Sequence, residues 1–148
     1  MDALAKPTWW TGDHWSTPPE LVADLEAEFG AFDLDPCCRA ETAKAPKFYT
    51  ESDDGLSQPW HGRVFVNPPF SKPRPWLEKA VTETKSGNAS IVVALLPVKS
   101  DTRWWHDLVL NAAEMRFIKG RIRWIGWQGT PIPQPIPQPS MFAIYRKN

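Results

Sequence analysis

Cysteine, histidine, long apolar runs and net charge are what this sequence has least of. Its two cysteines, Cys37 and Cys38, are adjacent and have no distant partner to staple. A disulfide framework is therefore excluded, and a reducing, intracellular setting is expected. The three histidines, His14, His61 and His106, are scattered, and neither they nor the cysteines show metal-ligand spacing, so no metal site is expected. There is no charged-then-apolar leader and no apolar run of about 20 residues, so neither secretion nor a membrane anchor is indicated, and the expected location is the cytoplasm.

The formal net charge is zero, which by itself argues against a nucleic-acid partner, but the charges are unevenly spread. Residues 1–98 carry nine Lys/Arg against 14 Asp/Glu, and residues 99–148 carry eight against three. The basic end includes Arg116, Lys119, Arg121 and Arg123 beside Trp124 and Trp127, a mixture suited to contacting phosphates and stacking on bases. A hairpin with solvated charges explains the same run equally well.

What is abundant is proline and tryptophan: 16 of the former, about twice the usual ~5% share, and nine of the latter. Apolar residues at 42% and charged residues at 23% sit near the globular average, so the 148 residues read as one compact domain over 1–148.

Along the chain, the stretch to Thr17 lacks periodicity and reads as an ordered loop. Thr17 is placed as an N-cap, with Pro18 opening a helix whose stripe of Leu21, Val22, Leu25 and Phe29 ends at Gly30. Ala31 to Asp35 alternates and stops at Pro36, as a short strand delivering a carboxylate to its end would, and Arg39 to Ala45 reads as a short helix. Strands are expected over Lys47–Thr50 and Arg63–Asn67, a helix over Trp76–Lys85, and over Ile91–Leu96 an apolar run that marks a strand covered on both faces at the sheet centre. A helix over Asp101–Ala113 and strands over Glu114–Ile118, Arg121–Ile125 and Met141–Tyr145 complete the reading, with Gly129–Pro139, too rich in proline for a ladder, as a stiff surface loop. Alternating strands and helices predict an α/β domain with a mostly parallel sheet that finishes in an antiparallel pair. Such sheets bind ligands beyond the carboxyl ends of their strands, which is where Asp35, Asp54, Asn67 and Pro97 fall.

The most informative tetrapeptide is Asn67-Pro68-Pro69-Phe70. Two prolines fix φ and remove two donors, so the Asn67 amide and the Pro68 carbonyl are held at a strand end. Two acceptors aimed at one point suit an exocyclic amino group with two hydrogens. An aromatic at position 70 can lie against a planar heterocycle. Accepting both hydrogens leaves the nitrogen lone pair available to an electrophilic methyl group without a charged base.

This tetrapeptide resembles the Asn/Asp-Pro-Pro-Tyr/Phe motif of S-adenosylmethionine-dependent amino methyltransferases. Together with Trp15-Ser16-Thr17-Pro18, Phe32-Asp33-Leu34-Asp35-Pro36-Cys37, Asp54-Gly55-Leu56, Trp60, Trp104-Trp105 and Gly120-Arg121, its order and spacing resemble the phage and prophage DNA N6-adenine methyltransferases, the Dam-like group. The resemblance spans roughly residues 9–145. It implies a minimal Rossmann-like class I methyltransferase sheet without a separate target-recognition domain, acting on DNA in the cytoplasm of a bacterial host, with a homodimer as one way to enlarge the DNA surface.

Residue by residue, the resemblance implies that Asn67, Pro68, Pro69 and Phe70 form the target-base site. Asp35 and Pro36 lie at the methionine end of S-adenosylmethionine, Asp54 accepts from the cofactor adenine, and Thr17 and Pro18, with Trp15, close over it. DNA contacts are expected from Ser71, Lys72, Arg74, Lys119, Arg121 and Arg123. One departure from larger amino methyltransferases is that Pro36 is followed by Cys37-Cys38-Arg39-Ala40 with no glycine. Glu41 and Glu51 both stay open as partners of the cofactor ribose. Cytosine N4, RNA adenine and protein glutamine stay open as alternative acceptors, as does a non-catalytic adaptor.

Overall fold

The computed structural model describes residues 15–126 and 138–147. The chain opens with strand β1 (Trp15–Ser16) and helix α1 (Pro19–Phe29), followed by β2 (Leu34–Asp35) and β3 (Lys47–Phe48). Next come β4 (Gly62–Val66), α2 (Arg74–Lys85) and β5 (Ala89–Pro97). A single α-helical turn, α3 (Arg103–Trp105), runs on into π-helical turns (His106–Leu110) before β6 (Glu114–Phe117), β7 (Ile125–Gly126) and β8 (Ser140–Arg146). Short 3-10 turns at Ala40–Thr42 and Glu51–Asp53 flank β3.

Six strands form one mixed sheet in the order β3-β2-β4-β5-β8-β6. The first four are parallel, and β8 runs antiparallel to both β5 and β6. β5 lies inside the sheet because its side chains alternate between two dry layers. Ile91, Val93 and Leu95 join Val22 and Leu25 of α1, with Phe32, Phe65, Ile122, Trp124, Phe142 and Ile144. Val92, Ala94 and Leu96 join Leu77 and Ala80 of α2, Trp105 and Val109 of the third helical segment, and the wholly buried Trp60. The sheet is thus sandwiched between α1 on one face and α2 with the third helical segment on the other, the arrangement an all-apolar parallel strand requires.

Several expectations are corrected. Thr17 does not cap α1: Pro18 is the N-cap, no side chain caps the helix, and the first turn is closed by Leu21 N–H donating to the Pro18 carbonyl at 3.1 Å. The stretch before Thr17 is not all loop, since Trp15–Ser16 pairs with Ile125–Gly126 as a separate two-stranded ribbon. The strand expected over Arg121–Ile125 contributes ladder residues only at its end. Ile122 and Trp124 point inward with strand-like alternation, but the edge of β6 facing the sheet is already paired with β8. The expected helix at Arg39–Ala45 contracts to a 3-10 turn, and that over Asp101–Ala113 to Arg103–Leu110. Regular pairing in the first parallel strand begins only at Leu34, although Asp33 N–H already donates to the Arg63 carbonyl and the Asp33 carboxylate accepts from Arg63 N–H. The proline-rich segment falls mostly outside the described residues. Among those described, Pro139 accepts from Val98 N–H at 2.9 Å and ties the start of β8 to the end of β5.

Candidate active site

A cavity of about 910 Å³ opens beyond the carboxyl ends of β2, β3 and β4. It is lined by Ser16 and Thr17 at the end of β1, by the loops after β2 and β3, and by Asn67, Pro68, Pro69, Ser71 and Lys72 after β4. Parallel pairing places the loops after β2, β3 and β4 side by side because these three strands run the same way.

Asp35 closes the floor. Its carboxyl group is 2% exposed and accepts from Cys37 N–H at 3.3 Å and from Lys44 N–H at 3.0 Å. Burial pushes its pKa up to about 7, against the pull of those two N–H donors, the Cys38 thiol and the Lys44 ammonium. Burial likewise lowers the pKa of Lys44, which also lines the cavity, and raises that of Cys38. Asp35 is not used to cap the following 3-10 turn, whose N-cap is Arg39.

Above it, Thr17 is 1% exposed, and its hydroxyl has no hydrogen-bond partner among the described residues. A buried hydroxyl without a partner costs roughly 1–3 kcal/mol, so a polar ligand reaching it would remove a standing penalty. Because Thr17 spends nothing on capping α1, its hydroxyl remains available to whatever fills the hollow.

Asp54 sits on the rim in the left-handed region, with φ 56°, and ends the Glu51–Asp53 turn. Its main-chain carbonyl accepts from Ser57 at 2.9 Å, and its exposed carboxylate has no hydrogen-bond partner among the described residues. Gly55 follows, and its role was not legible as more than a turn partner. A Cβ there would lie 2.0 Å from the Pro36 carbonyl oxygen and 3.3 Å from the Trp76 ring. Glycine is therefore what lets the loops after β2 and β3 meet, and the Gly55 carbonyl in turn accepts from the Trp60 indole at 2.9 Å.

The remaining expected residues divide. Thr17, Asp35, Pro36, Asp54, Asn67, Pro68, Pro69, Ser71 and Lys72 all line the one hollow, together with Glu41, Glu51, Arg39 and Lys44. Phe70 does not; it is half-buried against the α1-side core and meets Trp124 at 85° with ring centroids 5.5 Å apart. Trp124 is only 1% exposed, so it belongs to the core and is not an exposed base-stacking residue as the sequence had suggested. Pro18, Arg121 and Arg123 border a second, smaller cavity of about 270 Å³, and Lys119 is exposed. Arg74 is held at 2.7 Å by Asp107. The main chain of Trp15 pairs with Gly126, and its side chain lies outside the described residues. Among the described residues no cluster of His, Cys, Asp or Glu could hold a metal ion, and no helix is long and apolar enough to cross a membrane.

The chain is 35% identical over 109 residues to a protein of Escherichia phage T1 named DNA N-6-adenine-methyltransferase, covering 72% of this chain and 45% of that one. It is 34% identical over 108 residues to a protein of the same name from Haemophilus phage HP1, covering 72% of this chain and 62% of the relative. The matches thus span about half the length of these relatives. A crystal structure from Pyrococcus horikoshii, titled as a candidate RNA methyltransferase, shares the fold at a TM-score of 0.56 and 15% identity, covering 99% of this chain and 92% of that one. Residues 6–147 match the family described as DNA N-6-adenine-methyltransferase (Dam), and the chain belongs to that family.

Proposed function

We propose that this chain moves a methyl group from S-adenosylmethionine to the N6 amino group of an adenine extruded from DNA. The observation that carries the reading is one cavity lined by Thr17 and Asp35 together with Asn67-Pro68-Pro69. Its volume of about 910 Å³ suits a small-molecule site. The residues fit such a cofactor: a buried carboxyl group, a buried hydroxyl lacking a partner, and an exposed rim carboxylate are the groups an ammonium, a polar end and an exocyclic amine would satisfy. The sheet order, with a single reversed strand next to the edge, supports the Rossmann-like class I reading.

In this reading Asp35 faces the methionine end, Thr17 covers the cofactor, and Asp54 accepts from its adenine. The bound cofactor supplies a methyl group already activated on a sulfonium. Asn67 and the Pro68 carbonyl hold the target amine by its two hydrogens, and the two prolines keep both acceptors in place before the base arrives. Neither group takes up a proton at neutral pH, so they orient the amine and the proton passes to water. Phe70 supplies the aromatic surface for a base that has left the stack at a cost of a few kcal/mol. Ser71 and Lys72 at the mouth, and the exposed Lys119, Arg121 and Arg123, meet the DNA backbone.

The test is to incubate the protein with S-adenosylmethionine and unmethylated DNA, digest, and quantify nucleosides by mass spectrometry. N6-methyladenine that vanishes in Asn67→Ala, with cofactor binding retained, is expected. N4-methylcytosine instead, or modification of RNA or a glutamine peptide but not of DNA, would overturn the assignment.

A further inference from the structure

We infer that Trp124 is a positioning residue for Phe70: its buried indole sets the plane of the phenyl ring on which the target base stacks. The inference deepens the methyl-transfer reading and rests on it.

Phe70 follows two prolines that restrain its backbone, but a phenyl ring still turns about broad side-chain torsions. Within the core layer against which Phe70 packs, the ring partner is the perpendicular indole of Trp124 at 5.5 Å. In such a pair the edge of one ring meets the face of the other. Whichever ring supplies the edge, at least one face of Phe70 stays clear of the indole.

The indole is itself well anchored. Trp124 is among the largest wholly buried side chains, and Ile122, two residues earlier, is 6% exposed in the same core layer. One residue later the chain enters the ribbon in which Ile125 pairs with Ser16. The segment therefore turns Arg121 and Arg123 outward and Ile122 and Trp124 inward, presenting charge to solvent and a fixed aromatic wall to Phe70. A platform oriented in advance costs less to order when the base arrives.

The ribbon also separates this role from a general structural one. Ser16 and Thr17 line the cofactor cavity, and Trp15–Ser16 is held by main-chain pairing with Ile125–Gly126, which a side-chain change at position 124 leaves intact. Loss of the indole should loosen the base side and spare the cofactor side.

The experiment compares wild type, Trp124→Leu and Trp124→Phe as full chains. It measures thermal unfolding, S-adenosylmethionine affinity by calorimetry, transfer kinetics on duplex DNA, and fluorescence of 2-aminopurine placed at an adenine the wild type methylates. Freeing the ring among about three rotamers and removing the aromatic pair predict a roughly 10-fold fall in kcat/KM for DNA in Trp124→Leu. Weaker 2-aminopurine signal, cofactor affinity within about twofold, and recovery in Trp124→Phe should accompany it. Wild-type turnover by folded Trp124→Leu overturns the inference, as does a parallel loss of cofactor affinity. If Trp124→Leu does not fold, Trp124→Met and Phe70→Leu in a double-mutant cycle replace it, and a coupling factor near one is the negative result. A wild type that methylates DNA while both variants match it sinks this inference alone, whereas a wild type that yields no N6-methyladenine sinks the functional reading with it.

Discussion

If Asp35 holds S-adenosylmethionine as proposed, its buried carboxyl group should make that binding depend on pH. Its pKa is raised to about 7 because burial penalises the charged form more than the surrounding donors favour it. The groups that face it are the N–H groups of Cys37 and Lys44, the Cys38 thiol and the Lys44 ammonium. In the ligand-free protein about one carboxyl group in ten is ionised at pH 6 and nine in ten at pH 8. If a cationic group of S-adenosylmethionine binds only the ionised form, affinity should fall about tenfold from pH 8 to pH 6. Binding at pH 7 should release about half a proton from this group.

The sign for stability is opposite. The folded value lies above the ordinary 3.8, so the folded state holds the extra proton between about 3.8 and 7. Ligand-free stability should therefore fall as pH rises through that window and level off above it. The assay is calorimetric titration with S-adenosylmethionine at pH 6, 7 and 8 in buffers of different ionisation enthalpy, on wild type and Asp35→Asn. Taking the ratio of the two proteins cancels any titration of the ligand itself. A ratio that stays constant across the range, with no proton release, would refute the reasoning.

Gly55→Ala should cost about 2–3 kcal/mol in urea unfolding, because a Cβ 2.0 Å from the Pro36 carbonyl must push two cavity loops apart, and cofactor affinity should drop with it. Thr17→Val should leave ligand-free stability unchanged or raise it by up to about 1 kcal/mol, since the hydroxyl lost has no partner among the described residues, yet weaken cofactor binding. Thr17→Ser should retain that binding, and a melting curve beside a binding isotherm separates the two effects. Arg121→Ala and Arg123→Ala, both exposed, should each reduce the salt slope of DNA binding by about 1 without altering cofactor affinity, as read from DNA titrations over a range of salt.

Much of the layered architecture was legible because its signals are local. The apolar run at Ile91–Leu96 can be satisfied only by a strand covered on both faces, and β5 is that strand. The stripe of Leu21, Val22, Leu25 and Phe29 closed by Gly30 is α1, whose Val22 and Leu25 are buried in the core. Placing Asp35 and Asn67 at strand ends followed from Pro36 and Pro68, which end ladders because they lack a donor.

Long-range pairing was not legible. Nothing local says that Trp15–Ser16 pairs with Ile125–Gly126, since a two-residue strand has no period and its partner lies more than a hundred positions away. The alternation of Arg121 to Ile125 was real, but it records burial of Ile122 and Trp124 against the core and not membership of the main sheet. Trp124 read as a candidate base-stacking residue for the same reason: composition cannot distinguish an aromatic that faces a ligand from one that supports it. Gly55 carried only the signature of a turn, whereas its necessity comes from a carbonyl oxygen 19 positions earlier in the chain. Sequence alone thus marked Asn67-Pro68-Pro69-Phe70 as the candidate for amino-group chemistry and determined which segments must be covered. Only the tertiary structure decided that Thr17, Asp35 and Asn67 share one cavity while Phe70 leans on Trp124, because those contacts join strands and loops whose proximity arises when the parallel sheet closes.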